Sequence, residues 1–335
     1  MAITIKDLAE MANTSTATVS RVLSNKPGVA DDKRRRIVEL AERLGYSPNR
    51  IAQNLAMKKS QVLGFIAADL RNAVYVEFFR LVQAHVEPLG YQVLIADSCQ
   101  DIEKEKRNIA IMREHRAEGL LIFPIHDWNA HSEFDHFLRL KLQRFPFVLV
   151  GKIEGYGFDY VTSEETATGI ELVEHLVVQG HRRIGFVGSD NSNRCIRERM
   201  DGVRQGLRGA GLDLRECDAI PFSGEWQEQL RTVLRRPDRP TALVMVNDSF
   251  ALIAQRMLVE MGFALPADVS VVAFGDGMWS RHLKPSLTTT DENIAEVAQA
   301  SIELLLSRID DPARPAEQRL VPQIFILRES TAPPR

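Results

Sequence analysis

Ser15, Thr16, Ala17 and Thr18, followed one turn later by Ser20 and Arg21, place short hydroxyl and methyl groups and one long cation at helical spacing. Such groups can read base edges: a hydroxyl bonds donors or acceptors, a methyl packs on the thymine methyl, and a guanidinium reaches guanine or phosphate. The bland alternative is that they cap and turn a helix, the commoner role of small polar residues at a helix start. The sequence offers little for catalysis. It contains no phosphate-cradling Gly-x-x-x-x-Gly-Lys-Ser/Thr, no Gly-x-Ser-x-Gly elbow and no histidine pair at zinc spacing, and Gly155-Tyr156-Gly157 reads as a turn. Cys99, Cys195 and Cys217 are far apart and odd in number, so neither a disulfide framework nor a metal site is expected, and buried free thiols are. The expectation is a protein with no catalytic residues, no metal and no cofactor, and not an enzyme.

The recognition groups need a scaffold. Thr4 stands at an N-cap position with Asp7 three residues on, and Ile5, Leu8 and Met11 recur at helical spacing, with Ala9 and Ala12 keeping that helix slim. After a turn of a few residues, Ser15 can cap a second helix with Val19, Val22 and Leu23 as its apolar positions. Residues 31–44 suit a third, with Asp31 and Asp32 near its positive end, an inner stripe of Ile37, Leu40, Ala41 and Leu44, and Gly45 as its stop. Two short helices joined by a tight turn are a helix-turn-helix, whose second helix enters the major groove and meets bases with its first exposed residues. Thr16 and Ala17 are the predicted readers, with Ser15, Ser20 and Arg21 beside them.

Charge follows the same division. Residues 1–60 hold eleven Lys/Arg and six Asp/Glu, a net of +5, and the remaining 31 bases against 39 acids give −8. One end suits a polyanion, although a run such as Lys33-Arg34-Arg35-Arg36 is by itself more often a solvated face. The start MAITIKDLAEMA lacks the apolar segment of a signal peptide, and no later run is long enough to span a bilayer, so a cytoplasmic protein is expected.

With 335 residues and 44% hydrophobic content, the chain can bury more than one core. From residue 61, strand-like runs at 62–67, 92–96, 119–123, 147–150, 183–187, 242–246 and 269–274 alternate with helical patterns such as 75–87, 102–115, 166–179 and 249–261. That alternation predicts parallel sheets with helices on both faces, and the number of strands predicts two doubly wound α/β subdomains with a ligand cleft between them. The fold class expected is a small all-α headpiece followed by this α/β core.

The segment IKDLAEMANTSTATVSRVLSNKPGVADDKRRRIVELAERLGYSPNRIAQNLA resembles the headpiece signature of the LacI/GalR repressor family. Thr18-Val19-Ser20-Arg21-Val22-Leu23 matches the recognition helix, Leu44-Gly45-Tyr46-Ser47-Pro48-Asn49 the exit from the third helix, and residues 49–56 the hinge; Ala30 replaces the usual Ser or Thr. The resemblance implies a sequence-specific transcription regulator, a repressor in most of the family, that binds a pseudo-palindromic DNA operator as a homodimer. It adds Thr18, Asn25 and Tyr46 to the DNA-contacting positions, and Asn49, Ala52 and Leu55 as hinge contacts, with Leu55 wedged into the minor groove. Independently of the name, Pro48 pushes Ser47 out of helical conformation, and about two turns of hinge are too short to be stable alone. The implied organisation is a headpiece over 1–48, a hinge and linker over 49–60, and a core over 61–335. Subdomain one takes about 61–161 and 291–322, and subdomain two about 162–290 and 323–335. Residues 328–335 carry no heptad segment, which favours a dimer over a tetramer.

The resemblance continues through the core, which is similar to a periplasmic sugar receptor, most strongly in Glu174 to Val187. His175 and His181 in that stretch are expected to serve a helix end and turn. Carried onto this chain, the effector-binding positions are Arg199, which precedes Gly202 by three residues, Trp226, Asn247, Asp276 and Asp291. Arg supplies a fork of donors, Asn a donor and an acceptor, and an aromatic face stacks on a sugar. Asn247 is also placed to cap the helix after it, and Trp226 to serve packing alone. Many sugar-binding members have Asp-Asp after the strand where this chain reads Val272-Ala273-Phe274-Gly275-Asp276-Gly277. Either Asp276 substitutes by a local shift, or the site lost an acid to admit a sugar acid beside Arg199 and Lys152. The implied effector is a small sugar or sugar acid.

Overall fold

A computed structural model describes residues 3–23, 27–46, 60–125, 134–153, 155–189, 194–215, 218–221 and 224–335. The chain divides into two compact units, Met1–Gln61 and Val62–Arg335. The described residues form eleven α-helices and twelve strands.

The first unit contains α1 (Ile5–Met11), α2 (Thr16–Leu23) and α3 (Asp31–Arg43). Thr4 and Asp7 form a reciprocal capping box, the Asp7 carboxylate accepting from Thr4 N at 2.8 Å and the Thr4 hydroxyl accepting from Asp7 N at 3.4 Å. The Ser15 hydroxyl accepts from Thr18 N at 3.2 Å and so starts α2. Asn13, in the turn between them, takes the left-handed conformation at φ 49°. Ala30 supplies no side-chain cap to α3, and Asp31 and Asp32 in its first turn complement the helix dipole instead. Leu8, Ala9, Ala12, Val19, Val22, Ile37, Leu40 and Ala41 form the core, with Ile5, Leu23, Val29, Leu44 and Tyr46 packed around it. Met11 departs from the expected apolar stripe. It is 50% exposed, because the alanines at 9 and 12 occupy the inward positions where α1 meets its neighbours.

The second unit is built on two six-stranded sheets. In the first, β1 (Val62–Ala67), β2 (Gln92–Asp97), β3 (Gly119–Ile122), β4 (Phe147–Val150), β5 (Tyr160–Ser163) and β11 (Gln318–Val321) run parallel in the order β11-β5-β4-β3-β1-β2. In the second, β6 (Ile184–Ser189), β7 (Ala219–Pro221), β8 (Ala242–Met245), β9 (Ser270–Phe274), β10 (Thr288–Asp291) and β12 (Ile324–Ile326) run in the order β12-β10-β9-β8-β6-β7, with only β12 antiparallel. The chain passes between the sheets after β5, after β10 and between β11 and β12. Seven strands were expected from their continuous apolar runs, which suit strands buried on both faces. The other five are only three or four residues long, and β5, β10 and β11 mix in polar side chains. In β10, Thr288, Thr289 and Thr290 are all fully buried, and their hydroxyls are satisfied, Thr289 donating to Ala273 O at 2.8 Å and Thr290 to the Gln323 side chain at 2.8 Å.

The helices cover both faces: α4 (Ala73–Val86), α5 (Ile102–Glu114), α6 (Asp135–Leu142) and α11 (Ile294–Asp310) accompany the first sheet, and α7 (Glu165–Val178), α8 (Arg194–Gly209), α9 (Trp226–Leu234) and α10 (Asp248–Glu260) the second. His175 and His181 hold the C-terminal segment. His175 Nε2 lies 3.0 Å from the Thr331 hydroxyl, and His181 Nε2 lies 3.0 Å from Ala332 O, while burial lowers both imidazole pKa values. Among the described residues, no helix is long and apolar enough to cross a membrane.

Candidate functional site

In the first unit, α2 turns Val19 and Val22 inward. Thr16, Ala17, Ser20 and Arg21, at i, i+1, i+4 and i+5, therefore share the opposite face. Ser15, Thr16, Ala17 and Arg21 are exposed, and Thr18 and Ser20 are partly so. Ser15 and Thr18 are occupied by each other, their hydroxyl oxygens 2.9 Å apart, which leaves Thr16 and Ala17 the outward pair at the helix start. Tyr46 packs against the headpiece core rather than standing free. In the basic run, Arg35 pairs with Asp32 at 2.6 Å on an exposed face, as a solvated helix surface would. Asn25, Asn49, Ala52 and Leu55 lie outside the described residues.

In the second unit, a cluster forms at the carboxyl ends of β8, β9 and β10, where open α/β sheets bind ligands. Its centre is Arg199 on α8. The position of α8 is set by glycine: a Cβ on Gly202 would run into the Thr166 carbonyl oxygen and lie 2.9 Å from the Gly169 Cα, so α7 and α8 touch backbone to backbone. That contact brings Arg199 against Glu165 at the start of α7. Arg199 Nε donates to Glu165 Oε2 at 2.7 Å, and its two terminal nitrogens donate to Val246 O at 2.8 Å, Glu165 Oε1 at 3.2 Å and Glu292 Oε1 at 2.6 Å. Its guanidinium lies over the Phe274 ring, 4.9 Å from the centroid. Four of its five N–H groups are thus engaged.

The structure redistributes the other expected roles. Asn247 caps α10, its side-chain oxygen accepting from Phe250 N at 3.0 Å, and its amide nitrogen takes no part in that cap. Trp226 is 7% exposed and tilts against Phe250 at 4.9 Å within the core, so it serves packing. Asp276 is held by Arg328 through two bonds of 2.6 and 2.7 Å and does not replace the missing acid. The Asp291 carboxylate turns back to accept from Asn293 N at 2.8 Å, and the next residue, Glu292, is the one that reaches Arg199. Arg199 is thus already held by two carboxylates. Cys99 is exposed rather than buried. Cys195 is half-buried, with burial pushing its thiol well up, and Cys217 lies outside the described residues. Among the described residues, no three His, Cys, Asp or Glu side chains are placed to hold a metal ion.

Sequence reasoning missed Glu165 and Glu292, whereas Asp248 stands in the Asn247-Asp248 pair that the resemblance carries over. Asp248 Oδ2 accepts from Gly277 N at 2.9 Å, and burial raises the Asp248 pKa. Burial likewise raises that of Glu292. Across from them on α4, the Tyr75 phenol is pushed up chiefly by burial, with smaller contributions from Cys195, Glu292 and Asp69. Groups on the first sheet's side and the second's therefore share one electrostatic environment. The three crossovers meet here too: the Ser163 hydroxyl donates to Glu292 O at 2.9 Å, and Thr290 donates to Gln323.

Comparison with known proteins agrees with both halves. Residues 4–49 match the model of bacterial regulatory proteins of the lacI family, and residues 173–331 match that of the periplasmic binding protein-like domain. The HTH-type transcriptional regulator DegA of Bacillus subtilis is 26% identical over 337 residues, covering 99% of both chains. The HTH-type transcriptional repressor PurR of Aliivibrio salmonicida is 27% identical over 317 residues, covering 92% of both. A crystal structure of the lac repressor dimer bound to operator and the anti-inducer ONPF superimposes with a TM-score of 0.87 at 26% identity, covering 99% of this chain and 100% of that one. A helix-turn-helix headpiece with an outward α2 face, a two-sheet core and full-length relatives that regulate transcription lead to one conclusion: the chain joins a DNA-binding domain of the lacI family of bacterial regulatory proteins to a periplasmic binding protein-like domain.

Proposed function

We propose that the protein is a repressor that binds a pseudo-palindromic operator as a homodimer and is controlled by a small polar, carbohydrate-like effector in the cleft of its core. The observation that carries this reading is the pairing, in one chain, of an exposed α2 recognition face with a buried polar cluster at the strand ends of the core. Because the crossovers of the core meet at Glu292, a ligand bound there acts on the segments that must bend when the cleft opens or closes. It controls DNA binding only by favouring one geometry over the other.

Dimerisation is supported by apolar side chains left exposed on α4 (Val76), on the unpaired edge strand β2 (Leu94 and Ile95), on α10 (Leu252, Ile253 and Val259) and at Met278 and Trp279. A second copy of the same surface would cover them. Two-fold protein symmetry then demands a two-fold operator. In the hinge, Asn49, Ala52 and Leu55 are proposed to contact the minor groove, with Leu55 as the wedge. Selection of bound DNA from random sequence, with and without candidate effectors, tests the whole reading. Enrichment of a palindrome is expected, and recovery of none refutes it.

Exchanging Thr16 and Ala17 together for another residue pair is expected to alter operator preference by about 1–3 kcal/mol per affected base pair, read from competitive binding to operator variants. Both are exposed, so the thermal stability of the headpiece should stay within about 0.5 kcal/mol. Unchanged base preference would return this face to a capping role.

A further inference from the structure

Gly275 follows β9 with φ at 82°, a conformation that favours glycine. A Cβ at this position would lie 3.9 Å from Asp248 Oδ1 and 3.9 Å from Glu292 Oε1. Two carboxylates thus face the space that a side chain would fill, their oxygens no further apart than twice that distance. The acidity of the site lies on its flanks. Little positive charge offsets it: Glu292 shares the guanidinium of Arg199 with Glu165, and Asp248 is held by the backbone N–H groups of Ser249 and Gly277 and, at 3.5 Å, the Ser249 hydroxyl, all of them uncharged donors. Burial raises the pKa of both Asp248 and Glu292, a cost that a bound cation would remove.

We propose that the effector carries a positively charged nitrogen on a small polar frame, as an amino sugar does, seated over Gly275 between Asp248 and Glu292. The inference rests on the reading of this cleft as the effector site. Neutral hydroxyls can donate to the same oxygens, but a charged N–H donor bonds a carboxylate roughly twice as strongly. An anionic ligand would meet like charge on both flanks. Two carboxylates already on Arg199, with Asp248 beside them, exclude it.

Calorimetry on the full-length protein with matched pairs tests the proposal: glucose and glucosamine, galactose and galactosamine, mannose and mannosamine, with gluconate and glucuronate as anionic members. At least one amine is expected to bind about tenfold or more tighter than its hydroxyl counterpart, a difference of ~1.4 kcal/mol. Glu292→Gln keeps an acceptor for Arg199 and removes the charge, so it should erase most of the advantage of the amine over its hydroxyl counterpart. A neutral sugar or sugar acid that binds as tightly as every amine, or a preference that survives both Glu292→Gln and Asp248→Asn, overturns the inference and leaves the effector reading intact. No heat and no change in DNA binding with any member overturns both.

Discussion

Leu8→Ala is expected to abolish operator binding while leaving the thermal transition of the core unmoved. Leu8 is fully buried at the centre of the headpiece, between α1 and the facing side chains of α2 and α3. Truncating a buried leucine costs about 2–5 kcal/mol, through the lost burial and the cavity left behind. A single core in a unit of fewer than about 70 residues supplies only some 3–5 kcal/mol, so the loss is comparable to everything the headpiece has. The core folds as its own unit and should not notice. Circular dichroism melts that resolve two transitions, combined with fluorescence anisotropy on labelled operator, measure both effects. Met11→Ala is the control: Met11 projects from the same helix but is half exposed, and its loss should cost no more than about 0.5 kcal/mol. Equal damage from the two substitutions would mean that α1 is rotated about its axis relative to the arrangement described above.

The second large effect is expected at Arg199. Arg199→Met fills similar volume but leaves Glu165 and Glu292 without their shared cation. Removing one partner of a buried ionic group costs about 3–5 kcal/mol, because the remaining charge has lost both water and its counter-ion. The loss should depend on pH. Without the guanidinium, the buried Glu292 carboxylate favours protonation further, so its folded pKa rises above the unfolded value of about 4.3. A group with a raised folded pKa contributes its full stability below the unfolded pKa and loses it as pH rises through the folded one. The variant should therefore be most impaired at neutral pH and recover part of its deficit near pH 5, as urea midpoints at the two pH values would show. Glu292→Gln in the Arg199→Met background should restore part of the stability at pH 7, since it removes one of the uncompensated charges. A deficit equal at both pH values would mean that Arg199 acts through packing on Phe274 alone. In the wild-type protein, Glu292 and Asp248 already have raised pKa values, so their share of the stability follows the same sign on a smaller scale.

Much of the molecule was legible because local pattern and tertiary fate coincide. The headpiece follows from cap residues at Thr4 and Ser15 and from 3.6-residue periodicity, both of which act within a few residues along the chain. Six of the seven apolar strands were legible because a strand covered on both faces must be apolar throughout, whereas the apolar run of β2 lies at a partly exposed sheet edge. β10 was not, because burial of Thr288, Thr289 and Thr290 depends on partners from β9 and the crossover at Gln323, which no local window contains. The motif around Arg199 and Gly202 was visible in the sequence, yet its physical reason is the close approach of α7 to α8.

The candidate site divides in the same way. The sequence by itself determined that a basic helix-turn-helix precedes an α/β core, that Thr16 and Ala17 begin the recognition helix, and that Arg199 and Asn247 fall near the strand ends. Only the tertiary structure decided which acids belong to the cleft. Asp276 and Asp291 have the right chemistry, but one is taken by Arg328 and the other by the backbone at Asn293, while Glu165, Asp248 and Glu292 are brought in from three separate segments. Type and spacing specify a side chain's chemistry and its face on an element. Which partner consumes that chemistry depends on residues distant in the chain, and that choice fixes which charges gather around Arg199.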